Sequence, residues 1–376
     1  MKVVMEQQQV RRVLALVSRA ASSRSTFTFP ILSTVLMETD QGRLKLAATD
    51  FSLSITCWIG CQIHAEGGVA VPARLLSDFV GSLPNEPVDM ELESRTRTLH
   101  IQCGRYEAKI KGLDPREFPT IPSIKGNEAI ATVDPAALRE AIGQVAFAAA
   151  TEETRPSLTG VYTRIRSGQM VLVAADGFRL ARRTIEAQAG DEADVIVPAR
   201  AMAELGRVLA EGRDPVQIVL PSGLNQILFH TDSAALVSNL VDDRYPNYEA
   251  AIPKDHRTRA VMNTRDFLKA VRIASFFARD GTNIIRLELE SGRIRVSASA
   301  ADVGKGVGEV DAKIEGPAGR IALDARYLTE ALSVLGAPEV ALEMQGPDRP
   351  CVIRPEPDDE GHLRHVIMPQ VVLKEE

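Results

Sequence analysis

Few residues of this 376-residue chain have the types and local spacing to do chemistry, and none forms a complete set. Gly304-Lys305-Gly306-Val307-Gly308 resembles a phosphate-cradling loop, in which successive backbone amides face an anion. It lacks the spacing that brings a lysine and a hydroxyl to the same phosphate, so a turn is the better reading. His362 and His365 stand three apart near Glu360, with no third ligand evident to build a metal shell. The four cysteines (Cys57, Cys61, Cys103, Cys351) form no CxxC pair and read as reduced core thiols. Asp176 could tempt one toward a catalytic carboxylate, but Asp50 and Asp302 recur at the same interval, which marks a turn-forming element of the fold. No paired carboxylates, nucleophile or metal set survives, so the chain reads as non-enzymatic and without a cofactor.

What remains is charge and repetition. Val69-Ala70-Val71-Pro72-Ala73-Arg74 returns as Val195-Ile196-Val197-Pro198-Ala199-Arg200 and as Ile321-Ala322-Leu323-Asp324-Ala325-Arg326. Arg74, Arg200 and Arg326 are spaced 126 residues apart, as are Asp50, Asp176 and Asp302. Two independent markers in one register make the chain three copies of one domain, taken as 1–125, 126–253 and 254–376. The boundaries fall in Pro-, Gly- and charge-rich text.

The elements that must position these residues repeat as well. Helices are expected at 7–20, 73–83, 135–149, 198–211, 264–279 and 325–335. Val10, Val13, Leu14 and Val17 recur on one face of the first, and Leu138, Ala141, Ile142 and Val145 on one face of the third. Asp134 and Thr264 are the expected caps of the third and fifth. From Phe51 to Ile63, seven apolar residues at period two predict one long half-buried strand. The fold class is α+β, each domain having two helices against roughly eight antiparallel strands.

The chain carries −6 overall, yet Arg11, Arg12 and Arg19 make the first helix basic, and Arg265, Lys269, Arg272 and Arg279 outweigh Asp266 in the fifth. The other four helices are neutral. A basic helical layer on an acidic protein suggests a polyanion on the helix side only. Helices of about 11–16 residues, about 16–24 Å long, suit crossing a backbone groove without reading bases. Three such domains make an arc, and a heterologous contact between the ends of two arcs would close a ring. Composition, 45% hydrophobic and 25% charged, is that of a globular protein. No apolar run spans a bilayer and MKVVMEQQQ is no signal peptide, so a cytoplasmic location is expected.

The sequence resembles the bacterial sliding clamps, the β subunits of DNA polymerase III, over its whole length. The resemblance is carried by Phe29–Leu32 (FPIL), Val71–Arg74 (VPAR), Phe118–Pro122 (FPTIP), Ala174–Ala181 (AADGFRLA), Ile196–Arg200 (IVPAR), Leu240–Tyr248 (LVDDRYPNY) and Val366–Pro369 (VIMP). It implies a head-to-tail homodimeric ring around duplex DNA, opened by a clamp loader. The ring would tether the replicative polymerase α subunit and repair proteins through clamp-binding peptides. Those would enter a cleft of Arg155, Leu158, Ala175, Gly177, Phe178, Leu180, Pro246, Ala251, Val366, Met368 and Pro369. DNA contacts would fall to Arg24, Arg74, Arg200, Arg207, Lys269 and Arg272. Ring closure would set the sheet edge near Arg105 and Ala108 against Phe276 and Phe277 of the other chain.

Three departures bear on partner choice. Ala175 replaces the family's usual Thr, Glu249-Ala250 stands where a basic residue is usual, and Gln370-Val371-Val372 follows Met368-Pro369. A divergent second clamp, or a clamp-fold scaffold with restricted partners, is the alternative reading.

Overall fold

The computed structural model describes residues 1–22, 29–124, 126, 128–152, 154–210, 212–278, 283–300, 304–358 and 362–370. Arg24, Arg279, Asp302, Glu360, Val371 and Val372, all named above, lie outside the described residues. Among the described residues, six α-helices form where apolar periodicity placed them: α1 Gln7–Val17, α2 Ala73–Ser82, α3 Pro135–Val145, α4 Ala199–Val208, α5 Thr264–Ser275 and α6 Ala325–Val334. Short 3-10 turns, Ser18–Ala20 and Ala146–Ala148, supply the extra length expected for α1 and α3. Asp134 caps α3 through its Oδ1, which accepts the Ala137 amide at 2.8 Å. Asn263, not Thr264, caps α5: its Oδ1 accepts the Arg265 and Asp266 amides at 3.0 and 3.2 Å.

The three repeats are gathered into two compact units. One comprises Met1–Arg139, Ala187–Glu192 and Arg200–Leu240; the other comprises Glu140–Glu186, Ala193–Ala199 and Val241–Glu376. The reason is strand pairing across repeat boundaries. In the first unit, Ala234–Asn239 of the second repeat pairs with Leu53–Gly60 of the first, in register from Ala234↔Cys57 to Ser238↔Leu53. In the second, Arg179–Glu186 pairs with Leu363–Ile367, from Arg179↔Ile367 to Arg183↔Leu363.

The first unit holds a five-stranded and a nine-stranded antiparallel sheet. Helices α1 and α2 lie against each other there, with Val10, Leu14, Val17, Leu76 and Val80 fully buried. The strand expected from Phe51 to Ile63 is two strands. Leu53–Gly60 lies in the nine-stranded sheet and Gln62–Ala65 in the five-stranded one. The chain changes sheets at Gly60-Cys61, and Phe51 sits in a turn at φ 72°.

The second unit is built on a twelve-stranded sheet, from Ala193–Pro198 at one edge to Gly319–Asp324 at the other. Its core packs α5 and α6 on the sheet through Phe267, Val271, Leu328, Leu332, Leu287 and Val296. Gly304-Lys305-Gly306 is not a turn but the start of a strand, Gly304–Glu315, paired with Arg293–Ala300. A glycine is needed at 306: a Cβ there would meet the Phe277 ring at 2.3 Å.

Candidate functional site

The cleft residues expected from the sequence all fall in the second unit, and strand pairing brings several of them together. Ala175 stands opposite Leu180, Leu180 opposite Val366, and Val366 opposite Val352, so these four form a row across one sheet face. Val171, Val173, Leu180, Val352 and Val366 are buried there. Period-two alternation puts them on one face.

A tight turn forms the rim. Asp176 Oδ1 accepts the amides of Phe178 and Arg179, both at 2.9 Å, so the repeated aspartate caps a turn, as the sequence suggested. Asp50 does the same for Ser52 and Leu53. Gly177 sits at φ 94°, a conformation L-residues rarely adopt. Phe178 is 57% exposed and its carbonyl accepts the Met368 amide at 2.8 Å. Met368 is also exposed, at 40%. Leu158 is buried at the end of a 3-10 turn opened by Arg155, whose carbonyl accepts the Leu158 amide at 3.0 Å. Arg155 itself is exposed, as are Pro246 and Ala251.

Sequence reasoning missed the wall built by Tyr162, Tyr245 and Tyr248, although two of these lie in the LVDDRYPNY string. Tyr162 stacks on Tyr245 with centroids 5.2 Å apart and lies 5.8 Å from Tyr248. Burial, and then the hydrogen bond to Asp194 at 2.6 Å, pushes the Tyr162 hydroxyl up to about 12. Glu249 accepts from Arg164 at 3.3 Å and is thereby paired. The site thus offers apolar strand faces, two exposed apolar side chains and few polar groups, which suits an apolar peptide or small molecule.

Also missed was Arg179, beneath the rim on the opposite sheet face. It pairs with Asp176 and with Glu330, and its guanidinium lies 5.1 Å from the Phe147 ring centroid and 4.5 Å from that of Tyr327. Beside it His365 is buried at 5.8 Å from Phe147. Burial, helped by Arg179, depresses its imidazole to about 3.

The candidate DNA contacts are described unit by unit. In the first, Arg74 is almost fully exposed and lies 3.7 Å from Asp78. Arg200 bonds Asp50 at 2.8 Å and the Arg19 carbonyl at 3.2 Å. Arg207 pairs with Glu204 at 3.0 Å, which also receives Arg19 at 2.5 Å. In the second unit Lys269 and Arg272 are exposed one turn apart on α5, and Arg272 reaches the Ser333 hydroxyl at 3.2 Å.

The interface candidates are likewise separate. In the first unit Arg105 precedes Tyr106–Lys111, the terminal strand of the five-stranded sheet, in which Ala108 lies and Tyr106 is 59% exposed. In the second unit Phe276 is 58% exposed, whereas Phe277 packs on the core and over Gly306. Ile273 and Val307, neither expected at an interface from the sequence, are exposed as well; Ile273 stands three residues before Phe276, a spacing that could have found it.

Comparison with known proteins matches three family descriptions in chain order. Residues 1–122 match the N-terminal domain of the DNA polymerase III beta subunit, 132–247 its central domain, and 249–371 its C-terminal domain. The beta sliding clamp of Synechococcus elongatus is 33% identical over 363 residues, 94% of this chain and 96% of that protein. That of Bacillus subtilis is 31% identical over 364 residues, 93% of this chain and 94% of that protein. Among solved structures, the Bacillus subtilis sliding clamp superposes with TM-score 0.89 at 29% identity, covering 99% of this chain and 100% of that one. A Pseudomonas aeruginosa sliding clamp bound to griselimycin does so with TM-score 0.89 at 27% identity and the same coverage.

Proposed function

The chain belongs to the beta-subunit family of bacterial DNA polymerase III, the sliding clamps, and from that premise we propose how its parts divide the work. Two chains close head to tail into a ring around duplex DNA, in the cytoplasm. The ring performs no chemical step; it holds polymerases and other replication and repair proteins at the template, and a clamp loader opens it. The observation that carries the reading is the match of all three clamp domains, in order, along 1–122, 132–247 and 249–371.

Several features support the assignment of parts. Asp176, the best-placed lone carboxylate of the cleft, is spent on two turn amides and on Arg179. The row Ala175, Leu180, Val366 and Val352, with Phe178 and Met368 exposed beside it, gives an incoming peptide apolar contacts and leaves the rim free for its backbone. The cations Arg74, Arg200, Arg207, Lys269 and Arg272 lie on or at the start of helices and would meet phosphates without reading bases. The exposed strand edge after Arg105 and the apolar patch at Phe276 provide the two unlike surfaces that a heterologous contact requires.

The test is topological. Loaded by a clamp loader onto nicked circular duplex, the protein is expected to remain bound on gel filtration and to leave once the circle is cut. Equal retention on cut and closed DNA would sink the encircling mode. Charge reversal at both Lys269 and Arg272 is expected to shorten retention with the fold intact, and to lower the logarithmic salt slope by about two phosphate contacts.

A further inference from the structure

The guanidinium of Arg179 is engaged in every direction. Its Nε donates to Asp176 Oδ2 at 3.0 Å, its Nη1 to Glu330 Oε2, and its Nη2 to the Phe147 carbonyl at 2.8 Å. Tyr327 and Phe147 cover it, and only 9% of the side chain is exposed. Two carboxylates are more than one cation needs for neutrality. A planar fork held between them fixes orientation as well as charge.

The two carboxylates belong to different elements. Asp176 closes the turn that carries Gly177 and Phe178 on the rim of the cleft. Glu330 lies on α6, 151 residues along the chain from Arg179, and is 37% exposed. The turn is joined in turn to the far wall, since the Phe178 carbonyl accepts the Met368 amide and Arg179 pairs in register with Ile367. Movement of α6 that carried Glu330 away would therefore leave only Asp176 and the Phe147 carbonyl to hold the fork, and both exposed apolar walls hang from that turn.

We infer that Arg179 is a positioning residue of the cleft, and that its pairing with Glu330 makes the shape of the cleft rim depend on the placement of α6. The inference rests on the reading of this surface as the partner cleft. The link runs both ways, because a ligand that orders the rim must order α6 by the same free energy.

Glu330→Gln removes the charge at a position away from the cleft while keeping the side chain's size. Two readouts decide the matter: calorimetric affinity for griselimycin, and hydrogen exchange at the amides of Phe178, Arg179 and Met368. The variant is expected to bind about five- to tenfold more weakly and to exchange faster at those amides, with its thermal midpoint nearly unchanged. Arg179→Lys, which keeps the charge and loses the fork, is expected to weaken binding at least as much. Unaltered affinity and unaltered exchange in Glu330→Gln would overturn the inference. If the native protein ignores griselimycin, or a Leu180→Ala/Met368→Ala variant binds it undiminished, that ligand does not report on the cleft. The exchange rates in Glu330→Gln would then still decide whether α6 holds the rim.

Discussion

His365 is neutral in the folded chain because it is buried and faces Arg179, with its ordinary value near 6.5 depressed to about 3. Among the described residues its Nε2 finds no hydrogen-bond partner. The unfolded chain therefore takes up a proton at a pH where the folded chain does not. The stability contribution is fully present above 6.5 and is lost as pH falls towards 3, at about 1.4 kcal/mol per pH unit for one such group. Replacing the imidazole by a ring that cannot titrate should blunt that loss: His365→Phe is expected to lose less stability between pH 6.5 and pH 4.5 than the native chain in urea titrations. Equal losses would mean that other groups control the acid limb. The chain's text gives the turn aspartates away, because Asp50 and Asp176 repeat in register. It conceals Arg179 and His365, whose character comes from partners such as Glu330 that no local pattern connects to them.

At the scale of elements, helices were legible and strand ends were not. Apolar residues three and four apart mark α1 to α6 because each presents one stripe to its core. Between Phe51 and Ile63 apolar residues recur at period two in the text, although Leu53 to Cys57 are buried on both faces, and nothing in that recurrence marks the change of sheets at Gly60-Cys61. Gly304-Lys305-Gly306 reads as a turn because three glycines in five residues usually make one. Here they let a strand pass under Phe277. That strand has a further property. Thr258–Asn263 pairs with it only from Ala312 to Glu315, so among the described residues the stretch from Gly304 to Asp311 is bonded to Arg293–Ala300 on one side alone. With Phe276, Ile273 and Val307 exposed nearby in sequence or on the packed helix, this is the edge expected to receive the strand Tyr106–Lys111 of a second chain. Phe276→Asp together with Val307→Asp should lower self-association, each by on the order of 2 kcal/mol. Sedimentation equilibrium at a series of concentrations would show it, and an unchanged dissociation constant would place the interface elsewhere.

For the whole molecule, the three-fold repeat and the α+β class were readable from residue types and their 126-residue register, and the family from its resemblance in strings such as AADGFRLA and LVDDRYPNY. The two-unit division was not, because it depends on which strand edges find each other. Light scattering is expected to give twice the 40.8 kDa chain mass at micromolar concentration and a single-chain mass for the doubly substituted edge variant. A native protein that stays at the single-chain mass would speak against a stable ring and leave the fold unaffected.

The pairing of Arg179–Glu186 with Leu363–Ile367, and of Ala234–Asn239 with Leu53–Gly60, also sets what can be taken from the chain. The boundaries visible in its text are not places to cut. A fragment ending near residue 253 would bare the Arg179–Glu186 strand, whose apolar neighbours Val352 and Val366 depart with the missing piece. Such an edge is a template for aggregation. Anyone wishing to transplant one repeat, or to permute the order of the three, would have to carry the borrowed strand along with it. The modules that evolution copied are no longer the modules that can be lent.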